Sequence, residues 1–237
     1  MALDVTFDHA EPVTRSSTTY WFKPLQPSRY IAGQFIELHL PHANADSRGT
    51  NRWFTLSSSP TEPLLGVTTK TDRQKGSSFK RALAALRPGA RLTFAEPMGD
   101  FVLPKDTSIP LVFVAAGIGI TPVRSMIRWL HDTRQKRAIQ LLYAETTPEE
   151  LAFLPLFGGY DMQLTPLIKK PTKSYQGETG SLTQERILPF AQADERSLIY
   201  ISGPELLVET LVHALAEKGI DKQRLVADYY LGYTNLS

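Results

Sequence analysis

Cysteine is absent from all 237 residues. That single absence excludes disulfides, thiolate nucleophiles, cysteine zinc sites and cysteine-ligated iron–sulfur clusters. Histidine is scarce, and His9, His39, His42, His131 and His213 form no metal-ligand spacing beyond the close pair His39 and His42. Charge of one sign is not in excess either. The 26 basic residues outnumber the 24 acidic ones by two, which gives no general case for nucleic acid. Long apolar runs are also missing: the most apolar stretch, Ile109 to Ile120, is too short for a bilayer and is broken by glycines. Met1–Ala10 carries Asp4 and Asp8 where a signal peptide needs a basic start and an apolar stretch. The expectation is a cytoplasmic protein without membrane insertion.

What is present is an ordinary globular composition, 42% apolar and 21% charged. A chain this long buries roughly 70% of the surface it exposes when unfolded, so it needs no staples. Its two parts follow different patterns. Up to about Leu103 the apolar residues fall in short runs, Tyr20–Phe22, Phe35–Leu40, Trp53–Leu56, Leu64–Thr69 and Leu92–Ala95, punctuated by Pro24, Gly33, Pro41, Gly49, Pro60 and Pro88-Gly89. Short strands between turn formers predict an antiparallel β-barrel or sandwich, interrupted by one helix over Phe79 to Leu86, and the barrel is the expectation carried forward.

After Pro104 strands alternate with helices. Ile109–Ala115, Ala138–Ala144, Met162–Leu167, Leu198–Ile201 and Val226–Tyr230 read as strands, with helices from about Pro122 to His131 and after Pro204. Thr147-Pro148-Glu149-Glu150 has the pattern of an N-cap, a first-turn proline and a capping-box glutamate. This alternation predicts an α/β parallel sheet. Two domains are expected, 1–105 and 106–237, joined near Pro104–Pro110.

Gly117-Ile118-Gly119-Ile120-Thr121-Pro122 stands between a buried strand and a helix. Glycine lets backbone approach a ligand, and a helix start carries about half a positive charge, so a pyrophosphate can dock there. Thr121 reads as the N-cap and Pro122 as the first helical residue. The general dinucleotide fingerprint wants a third glycine where Pro122 stands, so a tight structural turn is the competing reading. Ser202-Gly203-Pro204 repeats the arrangement after a later strand. On its own it is simply a helix start.

Arg52-Trp53-Phe54-Thr55 combines a cation, aromatic bodies and a hydroxyl on one strand, with Arg52 and Phe54 on one face and Trp53 and Thr55 on the other. Lys75-Gly76-Ser77-Ser78 precedes the barrel's helix and forms another anion-binding corner. Together and in order, these pieces closely resemble the ferredoxin–NADP(H) reductase superfamily of two-domain flavoproteins. Arg52-Trp53-Phe54-Thr55 looks like its flavin motif, and Lys75-Gly76-Ser77-Ser78 like its second flavin-phosphate loop. Pro97-Met98-Gly99-Asp100-Phe101 resembles its barrel-closing segment. Gly117 to Pro122 is similar to its nicotinamide-nucleotide turn, Ser202-Gly203-Pro204 to its Cys-Gly-Pro, and Asp228-Tyr229-Tyr230-Leu231-Gly232-Tyr233 to its terminal motif.

The resemblance implies a barrel holding FAD and a second domain binding NADH or NADPH, with hydride passing to flavin N5. Arg52 would neutralise flavin phosphate, Trp53 and Phe54 would lie along the flavin, and Thr55 would place a hydroxyl near the reacting nitrogen. Gly76, Ser77 and Ser78 would face the pyrophosphate, and Val67, Thr68, Thr69 and Lys70 would run along the flavin's nucleotide end. Gly117, Gly119, Thr121, Pro122, Gly203 and Pro204 would hold the nicotinamide nucleotide. Thr55, Ser202, Asp228 and Tyr230 would line the reaction centre, with Tyr230 covering the ring. Electrons would leave to a separate acceptor: ferredoxin, flavodoxin, an oxygenase component or a small molecule.

The departures from the family pattern are three. Phe54 replaces tyrosine and forgoes a hydrogen bond worth about 0.5–1.5 kcal/mol. Ser202 replaces cysteine, and Asp228 replaces glutamate with a shorter reach. Two alternatives therefore stand beside the reductase: a flavin reductase using free flavin as substrate, and a non-catalytic flavin-binding subunit. On the donor, Glu145 beside Thr146 reads as an exposed carboxylate that opposes a 2′-phosphate by about 1–4 kcal/mol and favours NADH. Arg124, Arg128, Lys169, Lys170 and Lys173 are the counter-argument for NADPH.

Overall fold

The computed structural model describes residues 2–71 and 76–230, with Tyr230 described through its backbone alone. The amino-terminal part builds one antiparallel sheet from β1 (Leu3–Pro12), β2 (Ser17–Pro24), β3 (Phe35–His39), β4 (Asn51–Thr55), β5 (Leu65–Lys70) and, after helix α1 (Ser78–Ala84), β6 (Arg91–Phe94). The strand order is β4-β3-β6-β1-β2-β5. A bridge between Leu56 and Val67 joins the two outer strands. The barrel is thereby closed, which removes the edges an open sheet exposes.

Alternation explains these strands. In β1, Leu3, Val5 and Phe7 point into the core while Asp4 and Asp8 point out. That strand has no apolar run and so carries no run signal in the sequence. Its apolar residues arrive singly at period 2. The interior is filled by Phe7, Tyr20, Phe22, Ile36, Leu38, Leu56, Val67 and Phe94. α1 plugs one end through Phe79 and Leu83, which are fully buried. Each such side chain contributes about 1.5–3 kcal/mol. The Ser77 side chain caps α1 by accepting from the Lys80 N–H, and the helix stops before Pro88-Gly89 as expected.

The second sheet contains β7 (Leu111–Ala116), β8 (Ile139–Glu145), β9 (Gln163–Ile168), β10 (Glu178–Thr179), β11 (Leu198–Pro204) and β12 (Leu225–Tyr230), all parallel. Its helices are α2 (Ile120–Asp132), α3 (Leu154–Gly158), α4 (Gln184–Ala193) and α5 (Glu205–Glu217). β10, α3 and α4 had no sequence expectation. All six residues of β7 are buried, because helices cover both faces. Leu111, Phe113 and Ala115 meet Val123, Met126, Ile127 and Leu130 of α2. Val112, Val114 and Ala116 meet Ile187 of α4 and Val208, Leu211 and Leu215 of α5.

The order β10-β9-β8-β7-β11-β12 reverses between β7 and β11. At such a reversal the loops after the two neighbouring strands diverge and leave a crevice. Phe101, expected to close the barrel, packs instead under the second sheet, its ring 5.1 Å from that of Tyr200. The capping box at Thr147–Glu150 does not form either. Pro148–Glu150 is a 3₁₀ turn without a side-chain cap, and the Glu150 carboxylate accepts from the hydroxyls of Thr14 (2.9 Å) and Ser16 in the β1–β2 hairpin. A contact 136 residues away in sequence won over the local one.

Candidate functional site

The crevice at the β7–β11 reversal carries the glycine turn. Gly117–Gly119 forms a 3₁₀ turn that runs directly into α2, with Gly119 as the flanking residue. Thr121 and Pro122 are therefore the second and third residues of the helix, not its cap and first residue. The Thr121 hydroxyl donates to the Ile118 carbonyl at 3.0 Å. The glycines also divide their roles. A Cβ on Gly119 would lie 2.3 Å from the Ser202 carbonyl oxygen, and one on Gly203 would lie 3.0 Å from the Ala116 Cβ. These two glycines let the ends of β7 and β11 touch. Gly117, at φ +57°, is required by its backbone instead: a Cβ there would make only ordinary van der Waals contact with Lys70 Nζ at 3.7 Å and Glu145 Oε1 at 3.8 Å, but L side chains rarely adopt that φ.

Ser202 is paired in register with Asp228 across β11 and β12, and Gly203 and Pro204 continue that pairing with Tyr229 and Tyr230. The Ser202 hydroxyl is buried and finds no hydrogen-bond partner among the described residues. Such a group is costly to leave unmet. The side chain of Tyr230, with Leu231–Tyr233, lies outside the described residues.

From the barrel, Lys70 at the end of β5 reaches across to Glu145 at the end of β8, Nζ to Oε2 3.7 Å. Glu145 is not the exposed carboxylate the sequence suggested. Its side chain is 4% exposed. Burial pushes its pKa up, opposed by the Lys70 charge and the Thr146 N–H. The electrostatic case for NADH drawn from an exposed Glu145 therefore loses its basis. The backbone N–H groups of Lys169 and Lys170 bind the carbonyls of Glu145 and Thr146, bringing two cations alongside. Arg124 and Arg128 are committed elsewhere, to Glu62 and Asp132.

The raised Glu145 pKa has a testable sign. A folded-state value above the unfolded one means stability is fully present below the ordinary value of 4.5 and is lost as pH rises through the folded value. The stability of the wild-type chain relative to Glu145→Gln is expected to be flat below that pH and to fall above it, in denaturant titrations from pH 4 to 8. A difference that stays constant across this range would overturn the assignment.

The flavin-motif strand keeps its predicted alternation. Arg52 and Phe54 are half-buried beside α1, with the Arg52 guanidinium 5.1 Å from the Phe79 ring centroid and the Phe54 ring 5.9 Å from it. Trp53 lies on the other face, 51% exposed and edge-on to Phe35. Thr55 is buried at the strand end. Beyond it the Ser57 hydroxyl shares a buried chain with Thr68 (2.7 Å) and Thr19 (2.7 Å). On β5, Val67 is spent on the barrel core, so its side chain does not run along a ligand. Thr69 shares its face, and its buried hydroxyl has no partner among the described residues. Gly76, Ser77 and Ser78 lead into α1, while Lys75 lies outside the described residues.

Sequence reading missed the segment that covers this strand. Asp46 accepts from the Ser78 N–H at 3.2 Å and pairs with Arg52 at 3.3 Å, and Ser78 donates its hydroxyl proton to His42 Nε2 at 3.0 Å. The signal was present in Asp46-Ser47-Arg48-Gly49, a turn in which the Arg48 N–H bonds the Asp46 carboxylate. The seam was missed too. Arg124 joins Glu62 through both guanidinium nitrogens and donates to the Ser57 carbonyl at 2.9 Å, tying α2 to the end of the flavin strand. Among the described residues no group of three or more His, Asp or Glu side chains makes a metal site, and no helix is long and apolar enough to cross a membrane.

Comparison with known proteins agrees with this geometry. The oxidoreductase NAD-binding domain profile matches residues 113–213, from β7 into α5. The stachydrine N-demethylase reductase subunit Stc4 of Rhizobium meliloti (strain 1021) is 29% identical over 201 residues, covering 81% of this chain and 56% of its own. The propane 2-monooxygenase reductase component of Rhodococcus jostii (strain RHA1) is 23% identical over 93% of this chain and 61% of its own. The chain thus spans little more than half the length of these curated relatives. The crystal structure of the Amycolatopsis cytochrome P450 reductase GcoB superposes with a TM-score of 0.82 at 18% identity, over 97% of this chain and 69% of that one. The profile marks residues 113–213, on the sheet that bears the glycine turn, as an oxidoreductase NAD-binding domain, and the antiparallel barrel followed by a parallel sheet is the fold of the superposed reductase.

Proposed function

We propose that the chain is an NAD(P)H-dependent flavoprotein reductase. The barrel, to about residue 105, holds FAD, and the parallel sheet holds the nicotinamide dinucleotide. FAD and NAD(P)H are the cofactors typical of the family. A bound flavin supplies acceptance of a hydride and its onward release as electrons; the chain's task is to hold two rings in contact and exclude water. The donor set suits that task. Arg52 offers a cation, Phe54 an aromatic body, and Ser77 and Ser78 hydroxyls, while Gly117 puts a positive-φ turn at the start of α2, where a pyrophosphate would dock. Ser202 and Asp228 stand side by side at the strand ends where the nicotinamide would lie.

The observation that carries this reading is the placement of the two half-sites. Lys70 of the barrel meets Glu145 of the sheet beside Gly117, so whatever lies on the glycine turn also faces the barrel. Electrons then pass to a separate acceptor. Stc4 is named as the reductase subunit of an N-demethylase and the Rhodococcus protein as the reductase component of a monooxygenase, which supports a partner component of that kind as the acceptor. A second reading has its own support: Arg52 is already answered by Asp46, which suits a flavin that comes and goes as a substrate.

A visible spectrum of the purified chain mixed with FAD and freed of excess, before and after anaerobic NADH or NADPH, separates these readings. Retained flavin bands bleached by one nucleotide are expected. Loss of flavin on gel filtration, with nicotinamide oxidation only when free flavin is added, would establish the substrate reading. Retained bands that neither nucleotide bleaches would overturn both.

A further inference from the structure

The cation expected to meet the flavin phosphate has an anion of its own. Arg52 donates through Nη1 to the carbonyls of Arg48 and Asn51, each at 2.6 Å, and of Gly49 at 3.2 Å, and through Nη2 to Asp46 Oδ1 at 3.3 Å. Asp46 is anchored on every side. Its Oδ2 accepts from the Ser78 N–H at 3.2 Å, and its own N–H donates to Ser78 Oγ at 2.9 Å. Arg48 holds it as a fork, Nε to Oδ1 at 3.2 Å and Nη2 to Oδ2 at 2.8 Å. His42 fixes Ser78 from the far side: its Nδ1–H donates to the Leu40 carbonyl, so Nε2 accepts from the Ser78 hydroxyl. The 42–52 segment thus presents one carboxylate to the groups a flavin phosphate would use.

We propose that Asp46 is a built-in competitor for flavin phosphate, which weakens the binding of FAD and FMN at Arg52 and makes the flavin exchangeable. The proposal rests on the reading of the barrel as a flavin site. A carboxylate and a phosphate take the same geometry on a guanidinium, and two anions on one cation repel. Hydrogen bonds from Arg48 hold the Asp46 carboxyl well below the usual carboxylate range, so it stays ionised at neutral pH. Arg48 gives it a second partner toward solvent, 63% exposed, to which Asp46 can be surrendered when phosphate takes Arg52. A flavin without phosphate does not enter this competition. Discrimination among riboflavin, FMN and FAD is therefore set by Asp46.

The test measures Kd for FAD, FMN and riboflavin by flavin fluorescence quenching with the full chain, wild type and Asp46→Asn, at low and high salt. Asp46→Asn keeps an oxygen for the Ser78 N–H and removes the charge. FAD and FMN are expected to bind about fivefold more tightly, the size of a partly exposed ion pair, with the gain shrinking at high salt and riboflavin unchanged. Phosphorylated flavins that bind no better, or riboflavin that shifts in parallel, would overturn the proposal while leaving the flavin reading intact. Failure of both chains to bind any of the three would overturn the reading and the proposal with it. Should Asp46→Asn not fold, as judged by its melting curve, Arg48→Gln decides. It leaves Arg52 as the only charged partner of Asp46 among the described residues, and FAD is then expected to bind several-fold more weakly with riboflavin unaffected; equal shifts would sink the idea.

Discussion

Replacing Gly119 by alanine is expected to destabilise the chain by about 1–3 kcal/mol and to abolish tight nucleotide binding, the larger part of the effect coming from the backbone of β11. The added Cβ would stand 2.3 Å from the Ser202 oxygen, 2.5 Å from its carbonyl carbon and 2.7 Å from the Gly203 nitrogen. None of these is a flexible side-chain tip. The strand end must move by about an ångström for ordinary contact, and it carries Ser202 with it. Backbone conformation does not oppose the change, because Gly119 sits at φ −60°. Taken alone, exchanging glycine for alanine at such a position stabilises by about 0.4–1 kcal/mol. The clash outweighs that gain. Gly158→Ala, where nothing lies within 4 Å, serves as the control and should melt at or above the wild-type temperature. Thermal melts and nucleotide titrations check both; a Gly119→Ala chain with wild-type melting would show that the two turns do not touch as described.

Arg124→Met should have a comparable cost. Arg124 and Glu62 are only 11% and 13% exposed, and the same guanidinium holds the Ser57 carbonyl. Its removal leaves a shielded carboxylate and a carbonyl without their donor. Breaking a fully buried pair costs about 3–5 kcal/mol; the remaining exposure here brings the expectation to about 2–4 kcal/mol. The double variant Arg124→Met, Glu62→Gln should recover a large part of that loss, since the stranded charge is gone while an oxygen remains for the Ser59 N–H, now bonded at 2.7 Å. The pair also ties the residues after β4 to α2, so nicotinamide-dependent flavin reduction in Arg124→Met is expected to slow tenfold or more, as small misplacements of reacting groups do. Denaturant titration and single-turnover kinetics report the two effects separately. Additive losses in the double variant would contradict the pairing.

Residues adjacent in sequence were the readable part of the site. Arg52 and Phe54 alternate as expected because a strand has a fixed period of 2, and the strand-turn-helix at Gly117 follows from local chemistry. Gly119 shows where this stops. Its glycine was explained by the approach of a ligand, whereas its Cβ space is filled by β11, some eighty residues onward. Glu145 shows the same limit in charge. From sequence it reads as a surface carboxylate beside Thr146; in the fold its side chain is shielded, and Lys70 arrives beside it from the barrel.

The sequence by itself determined the two classes of sheet, their order along the chain and most strand positions. It also placed the glycine turn between β7 and α2 and excluded thiol and cysteine-metal chemistry. Those properties depend on hydrophobic period, turn residues and composition, which are local or global sums. The tertiary structure alone decided which charges answer each other: Asp46 with Arg52, Glu62 with Arg124, Glu150 with Thr14 and Ser16, Lys70 with Glu145. Three of these contacts join segments far apart in the chain. The physical reason is that an ion pair or hydrogen bond needs its partners within about 3–4 Å. Only the closure of the barrel and its docking on the parallel sheet sets distances of that size.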